Sequence, residues 1–501
     1  MDFLTLFVVV PVLTIIGIVF TKNMKQTRLV SAVGMSIQLV LAVALVFMYL
    51  AERKAGNAAE MLFSHSYVWF ESLNINYIVG VDGISVAMIL LTGIVVLTGV
   101  FASWKVDFLP REFFISLIFL SSGVFGFFIS LDLFTMFLFY EVAVIPMYLL
   151  IGIWGTGPKE YSAMKLTLML MGASALLLVG ILGIYFNSNA GGGELTFNIM
   201  EIAKVKIPMD AQRMFFPMTF IGFGVLGALF PFHTWSPDGH ASAPTAVSML
   251  HAGVLMKLGG YGAFRVAMFL LPEAAQEMAW IFLILTSISV VYGAFGAIFQ
   301  KDLKYINAYS SVSHCGLVLF AILMMNKAAL NGAILQMISH GLMTALFFAL
   351  IGMIYGRTHT RMIDQLGGLM KVMPILSVSY VIAGLANLGL PGLSGFVAEM
   401  TIFFGAFQHP DMFHRILTIT AAASIVITAV YILRVVGQIL YGSITNEHYL
   451  KLDDAHWYER VSTGVLIFAI AGIGLAPLWL SDMINDSLNP IVNQLMQAIV
   501  K

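Results

Sequence analysis

Several ionisable side chains stand where water cannot easily follow them. Glu141 lies within Met136 to Leu150, Lys257 within Val247 to Ala263, and Glu399 within Phe396 to Phe407; none of these runs holds another charge. His314 and His340 interrupt two further apolar stretches, and Lys165 lies near one end of a third. A charge at the centre of a bilayer costs on the order of 3 kcal/mol even on lenient insertion scales, so such residues are usually functional. The chemistry open to them is proton transfer. Burial disfavours the charged form of a carboxyl or an amine and a nearby opposite charge restores it, so a Glu and a Lys that pair and unpair act as a switch. Histidine carries a proton near neutrality after only a small shift.

Each residue also has a plainer reading. Glu141, Lys257 and Glu399 could form structural ion pairs that never titrate. Lys165 could snorkel to the interface, and His314 and His340 could simply hydrogen-bond neighbouring helices. His233 and His240 fall near a membrane edge, where a solvated role is as natural as a relay.

The elements that must position these groups are membrane helices. Of 501 residues, 60% are hydrophobic and 10% charged, and mean hydropathy is +0.94. A soluble domain carries roughly 25% charged residues. Apolar runs of about 20 residues, enough to cross a ~30 Å hydrocarbon core, recur along the chain. A barrel is excluded, because its strands alternate every second residue, whereas Leu166 to Tyr185 is apolar on nearly all sides. The pattern predicts an all-α polytopic fold of about fourteen helices in a single membrane domain over 1–501. The third helix is expected at 78–103, the seventh at 213–234, the eighth at 243–269, the twelfth at 373–407 and the fourteenth at 460–482. Connections are short except 51–77, 188–212 and 443–459.

Net charge is −1, which points to no nucleic acid. The single cysteine, Cys315, excludes an internal disulfide and any all-cysteine metal or iron–sulfur site. The apolar N-terminus lacks a basic leader and reads as the first span. Loop cations such as Lys22, Lys105, Lys159, Lys304, Arg361 and Arg460 gather on one side, which places both termini outside the cytoplasm.

Two helices read as interrupted: the seventh at Phe230-Pro231-Phe232-His233, and the twelfth at Leu388-Gly389-Leu390-Pro391-Gly392. Proline and glycine in mid-span free backbone groups that neighbours or cavity water must satisfy. The breaks lie five helices apart, which suggests two inverted five-helix repeats, helices 4–8 (112–269) and 9–13 (277–442). Paired broken helices are the best sequence-level pointer to a transporter's ion path. Gly222-Phe223-Gly224-Val225-Leu226-Gly227 matches a dinucleotide fingerprint but follows no strand, so close helix packing is the better reading. No P-loop, H-E-x-x-H or C-x-x-C is present, and no metal site is expected.

Certain blocks are recognisable. Asp82-Gly83-Ile84-Ser85, Phe139-Tyr140-Glu141 with Ile145-Pro146-Met147-Tyr148, and Pro231-Phe232-His233-Thr234-Trp235-Ser236-Pro237-Asp238-Gly239-His240 form the first half of the set. Asp302-Leu303-Lys304 with Ala308-Tyr309-Ser310-Ser311-Val312-Ser313-His314, Gln336-Met337-Ile338-Ser339-His340-Gly341 and Arg357-Thr358-His359-Thr360-Arg361 form the second. Over roughly residues 75 to 440 the chain resembles the antiporter-like, proton-translocating subunits of respiratory complex I, and Glu399 in place of a lysine points to the M type, chain 4 in mitochondria. The resemblance implies a central hydrophilic axis lined by Glu141, Lys257 and Glu399 with His314 and His340 between them. It implies FMN, iron–sulfur clusters and quinone in partner subunits rather than here. L-type and N-type antiporter-like subunits would be its neighbours in a bacterial inner membrane. One departure stands out. The family usually places a lysine just before the seventh-helix proline, as partner to the fifth-helix glutamate; here that position is Leu226, and Lys165 is the expected substitute. A subunit of a multi-subunit cation/proton antiporter or of an energy-converting hydrogenase shares this fold and is the alternative. A structural membrane scaffold is a more distant one, disfavoured by the buried ionisable residues.

Overall fold

The structure is a computed structural model that describes residues 2–499. In chain order it contains α1 Leu6–Val19, α2 Met24–Lys54, β1 Leu62–Phe70, β2 Ile75–Val81, α3 Gly83–Ala102, α4 Pro110–Ile129, α5 Leu133–Trp154 and α6 Lys159–Phe186. Then come α7 Ile199–Ile202, α8 Met209–Leu226, α9 Trp235–Ser242, α10 Thr245–Leu250, α11 Met256–Gly262, α12 Pro272–Phe299, α13 Leu303–Leu323 and α14 Lys327–Thr358. The last are α15 Pro374–Asn387, α16 Ser394–Phe407, α17 Met412–Leu440, α18 Trp457–Leu475 and α19 Leu478–Ile499. Ten of these helices are long and apolar enough to cross a membrane, and α1, α15 and α16 are shorter apolar helices.

Polar caps start the spans, because the first N–H groups of a helix have no partner within it. Asp82 caps α3 through Ser85 N at 2.9 Å, and Asp132 caps α5 through Phe134 N and Thr135 N, both at 3.0 Å. Asp302 and Asn326 do the same for α13 and α14.

The expected third helix is shorter than its apolar run. Residues 75–81 pair with 62–70 as an antiparallel hairpin, and the helix begins only after the Asp82 cap. The fourteenth helix ends at Leu475 rather than 482, and a separate helix, α19, follows. It lies against the face where α2 ends and α3 and α14 begin: Ser487 Oγ is 3.2 Å from Tyr49 Oη and accepts from Gly83 N at 2.7 Å, and Asn331 Nδ2 donates to Ser481 O at 3.0 Å.

The two expected breaks are present and are built alike. After α8, Leu229 N donates to Gly224 O at 2.8 Å and Ala228 N to Val225 O at 3.0 Å, with Ala228 at φ 56°. After α15, Leu390 N donates to Leu385 O at 3.0 Å and Gly389 N to Ala386 O at 3.2 Å, with Gly389 at φ 64°. Each is a helix C-terminus closed by a left-handed residue, which satisfies the last carbonyls without a membrane-facing partner. Other details recur at matched places. Leu133 N and Ile199 N bond Phe197 O and Leu131 O, each at 2.9 Å; Leu303 N and Ile363 N bond Arg361 O and Lys301 O at 3.0 and 2.9 Å. A methyl group on Gly123 would stand 2.6 Å from Ala143 N, and one on Gly293 would stand 2.5 Å from Ser313 N. Gly222 lets α8 approach α6, since a methyl there would meet Leu177 Cβ at 2.8 Å. The glycine run therefore packs helices, as its membrane setting suggested.

Candidate functional site: a buried polar line between two broken helices

The eighth span is not a regular helix. Wider π turns occupy His251–Leu255 and Ala263–Met268, on either side of the α11 segment that holds Lys257. Such bulges free carbonyls from the regular ladder and recur at functional sites. Lys257 uses one of them: Nζ donates to Ala252 O at 2.5 Å. The same ammonium lies 2.6 Å from His340 Nδ1 of α14, and Lys257 is 2% exposed.

From His340 the line continues. Its ring stacks on that of His314 from α13 with centroids 5.3 Å apart. His314 Nε2 is 2.6 Å from Asn387 Oδ1, the last residue of α15 before the second break. His314 Nδ1 is 3.0 Å from Gln336 Nε2 and 3.6 Å from Glu399 Oε1 on α16. The structure thus brings Lys257, His340, His314 and Glu399 together, all buried, along a path that ends at the second break. Branches reach Ser310, bonded to Asn387 and to Tyr431, and the Ser339–Ser394 pair joins α14 to α16 at 2.8 Å.

Glu141 and Lys165 do not join this line. Lys165 Nζ pairs with Asp238 Oδ2 at 2.7 Å, and Asp238 also accepts from Tyr305 Oη at 3.1 Å. Its expected partnership with Glu141 is therefore corrected: the aspartate of α9 takes the ammonium. Glu141 lies on an outward face of α5 with Leu138, Ile145 and Tyr148, which are 39%, 58% and 41% exposed. Its Oε1 is nevertheless buried and has no hydrogen-bond partner. Leu226 is fully buried at the end of α8.

Other members were only partly legible: His233 and His240 read as residues near a membrane edge, and His251 carried no signal. His240 and His251 face each other with ring centroids 4.3 Å apart, both fully buried, and none of their four ring nitrogens has a partner. Lys304, read as a loop cation, is buried and donates to Ala243 O at 2.5 Å, while Arg361 donates to Ala241 O at 2.7 Å. Both cations thus close the carbonyl end of α9, the half-helix beyond the first break. His233 is buried with Nδ1 unpartnered. Arg265, in the second π turn, is ion-paired with Asp82, and both side chains are 2% exposed. The chain distance from Asp82 to Arg265 left no sequence signal for that pair.

What the arrangement can do is pass protons. It offers titratable groups at hydrogen-bond or stacking distance, next to a helix break, and its donor set holds no group that accepts electrons. A family model described as NADH:quinone oxidoreductase/Mrp antiporter, transmembrane, matches residues 130–428, which covers both breaks and every member of the line. The chain belongs to this family. It is 40% identical over 387 residues, 77% of its own length and 70% of the relative's, to NAD(P)H-quinone oxidoreductase chain 4 3 of a Picosynechococcus species. It is 37% identical to chain 4 1 of a Synechococcus species over 86% of its own length and 82% of the relative's. Among solved structures, a chain of respiratory complex I from Thermus thermophilus shares the fold with a TM-score of 0.89 at 23% identity, covering 98% of this chain and 99% of that one. A chain of the Mrp complex from a Dietzia species does so at 0.83 and 21%, covering 99% of each. Such membrane subunits work inside multi-subunit complexes, so other membrane subunits are partners of this family member.

Proposed function

We propose that this chain translocates protons as the M-type, antiporter-like subunit of an NAD(P)H–quinone oxidoreductase, driven by quinone reduction in partner subunits. The observation that carries the proposal is the buried Lys257–His340–His314–Glu399 line ending at a broken helix. In this reading Lys257 and Glu399 hold and release protons, and the two histidines relay between them. The matched breaks and cap-loop bonds support two repeats, 112–269 and 277–442, which pair a half-channel with each break. FMN, iron–sulfur clusters and quinone belong to the partner subunits.

Glu141 supports a particular neighbour arrangement. A carboxylate turned toward lipid is costly, so the outward face of α5 abuts another subunit, of L or N type, which supplies the group that Leu226 does not. The cyanobacterial relatives support a bacterial membrane, and the loop charges support both termini on the non-cytoplasmic side.

The test is to tag this chain in its own membranes, purify gently and assay NADH:quinone activity. Inhibition by quinone-site poisons, with bound flavin and iron–sulfur signals, agrees with the reading. A complex without redox centres that exchanges cations for protons would replace it with the antiporter function that the Mrp-like fold also accommodates. One that evolves hydrogen would replace it with a hydrogenase arm.

A further inference from the structure

At the end of α16, outside the apolar spans, three ligand-type side chains converge. His409 follows α16 by two residues, Asp411 caps α17, and His414 lies in its first turn. Asp411 Oδ1 accepts the His414 backbone N–H at 2.8 Å, which fixes the carboxylate in place. His414 Nδ1 lies 2.7 and 2.8 Å from the two carboxylate oxygens, and His409 Nδ1 lies 3.3 Å from Oδ2. Among the described residues this is the one set of three His, Cys, Asp or Glu side chains whose ligand atoms all fall within 4.8 Å of one another. His409 Nδ1 is shielded from solvent and has no hydrogen-bond partner. The two imidazoles lie face to face with centroids 3.6 Å apart. Two ring nitrogens and a carboxylate aimed at one another repel unless protons or a cation stand between them.

We propose that His409, Asp411 and His414 bind a divalent transition-metal cation of the zinc, copper and nickel class. Two imidazoles and one carboxylate form a donor set that suits these ions, whereas magnesium and calcium prefer all-oxygen shells. Nitrogen ligands at 2.0–2.1 Å from a tetrahedral zinc stand about 3.4 Å apart. The nitrogen-to-carboxylate separations of 2.7, 2.8 and 3.3 Å therefore change by less than ~1 Å on loading, and the stacked rings splay by side-chain rotation. Room for that rotation exists, since the His409 and Asp411 side chains are 28% and 50% exposed. The fourth position is left to water. Arg415, the next residue along α17, is held by its bond from Nε to His409 O at 3.0 Å.

A metal here joins the end of α16 to the start of α17. Glu399 lies ten residues before His409, about 15 Å along a helix at 1.5 Å per residue. Loading the site therefore restrains the half-helix that carries Glu399, and the cation acts as an inhibitor of proton transfer. This consequence rests on the function proposed above; the binding does not.

The experiment uses the purified whole complex, stripped with chelator and titrated with Cu²⁺ as a paramagnetic probe. The unmodified complex is compared with a His409→Gln/His414→Gln double variant and with Asp411→Asn, which keeps the helix cap. The unmodified complex is expected to bind one more equivalent than the double variant, with hyperfine coupling to two nitrogens, and Zn²⁺ loaded beforehand is expected to give way to Cu²⁺ at this site. Equal copper stoichiometry in assembled unmodified and double-variant complexes overturns the site. The Zn²⁺ concentration that half-inhibits pumping is expected to rise at least tenfold in the double variant. Loss of binding with unchanged zinc sensitivity keeps the site and overturns the inhibitory role.

Discussion

Glu399→Gln isolates one charge in the line. The two side chains have nearly the same shape, and the His314 contact at 3.6 Å is a charge contact rather than a short hydrogen bond. Fold stability should therefore move by no more than the ~1 kcal/mol of an ordinary hydrogen bond. The functional effect is larger. A protonated His314 facing an ionised Glu399 at 3.6 Å gains roughly 4–5 kcal/mol at an effective dielectric constant of about 20. Even half of that, after desolvation takes its share, is on the order of a 50-fold change in the population of the charged pair. The assay reconstitutes the complex in liposomes and follows internal acidification against electron transfer. We expect assembled Glu399→Gln complexes to pump fewer protons per electron pair, with the deficit confined to this subunit's share. Full acidification by an assembled variant would refute the reasoning, because a proton carrier cannot be replaced by an amide that does not take up and release a proton.

Three other outcomes are expected. Asp82→Ala strands the buried Arg265 charge and should cost about 3–5 kcal/mol, read as a lower thermal unfolding midpoint and poor assembly; an unchanged midpoint contradicts the pairing. The breaks should respond in opposite directions. Gly389→Ala places a methyl 2.8 Å from Glu399 Oε2 at φ 64°, costing at least about 1 kcal/mol and slowing pumping. Ala228→Gly relieves the same conformation at the other break and should gain about 0.5–1 kcal/mol of stability. Lys165→Ala removes a partly exposed pair with Asp238, so stability should change by no more than about 1 kcal/mol. Collapse of the fold in that variant would mean that the pair anchors α9 more tightly than its exposure implies.

Much of the site was legible because a lone charge in an apolar run has no cheap explanation. Lys257, Glu399, His314 and His340 were each visible in that way, and three of the four touch the next in line. The second break was legible from proline beside glycine and the first from Pro231 alone, although Pro146 shows that proline alone does not always break a helix: α5 runs through it. What defeated the reading was information carried between distant segments. Lys165 has Asp238 as its partner, set by how α6 packs on α9, which no local pattern records. His251 lies six residues before Lys257, about 240° round a regular helix, so nothing in an ideal helical projection put the two on one polar path; the π turns change that phase. The stretch 75–81 is apolar enough to extend a helix, and only the Asp82 cap behind it marks the strand's end. Glu141 was legible as a buried charge but not as an outward-facing one.

The measurement that bears most directly on the central claim is the proton-to-electron ratio of reconstituted Lys257→Met complexes. Methionine matches the apolar stem of the lysine, leaves His340 Nδ1 and Ala252 O without their donor, and cannot take a proton. The account expects assembled complexes with a lower ratio than the unmodified protein at equal rates of electron transfer. An unchanged ratio would mean that protons cross elsewhere and that the buried line is structural.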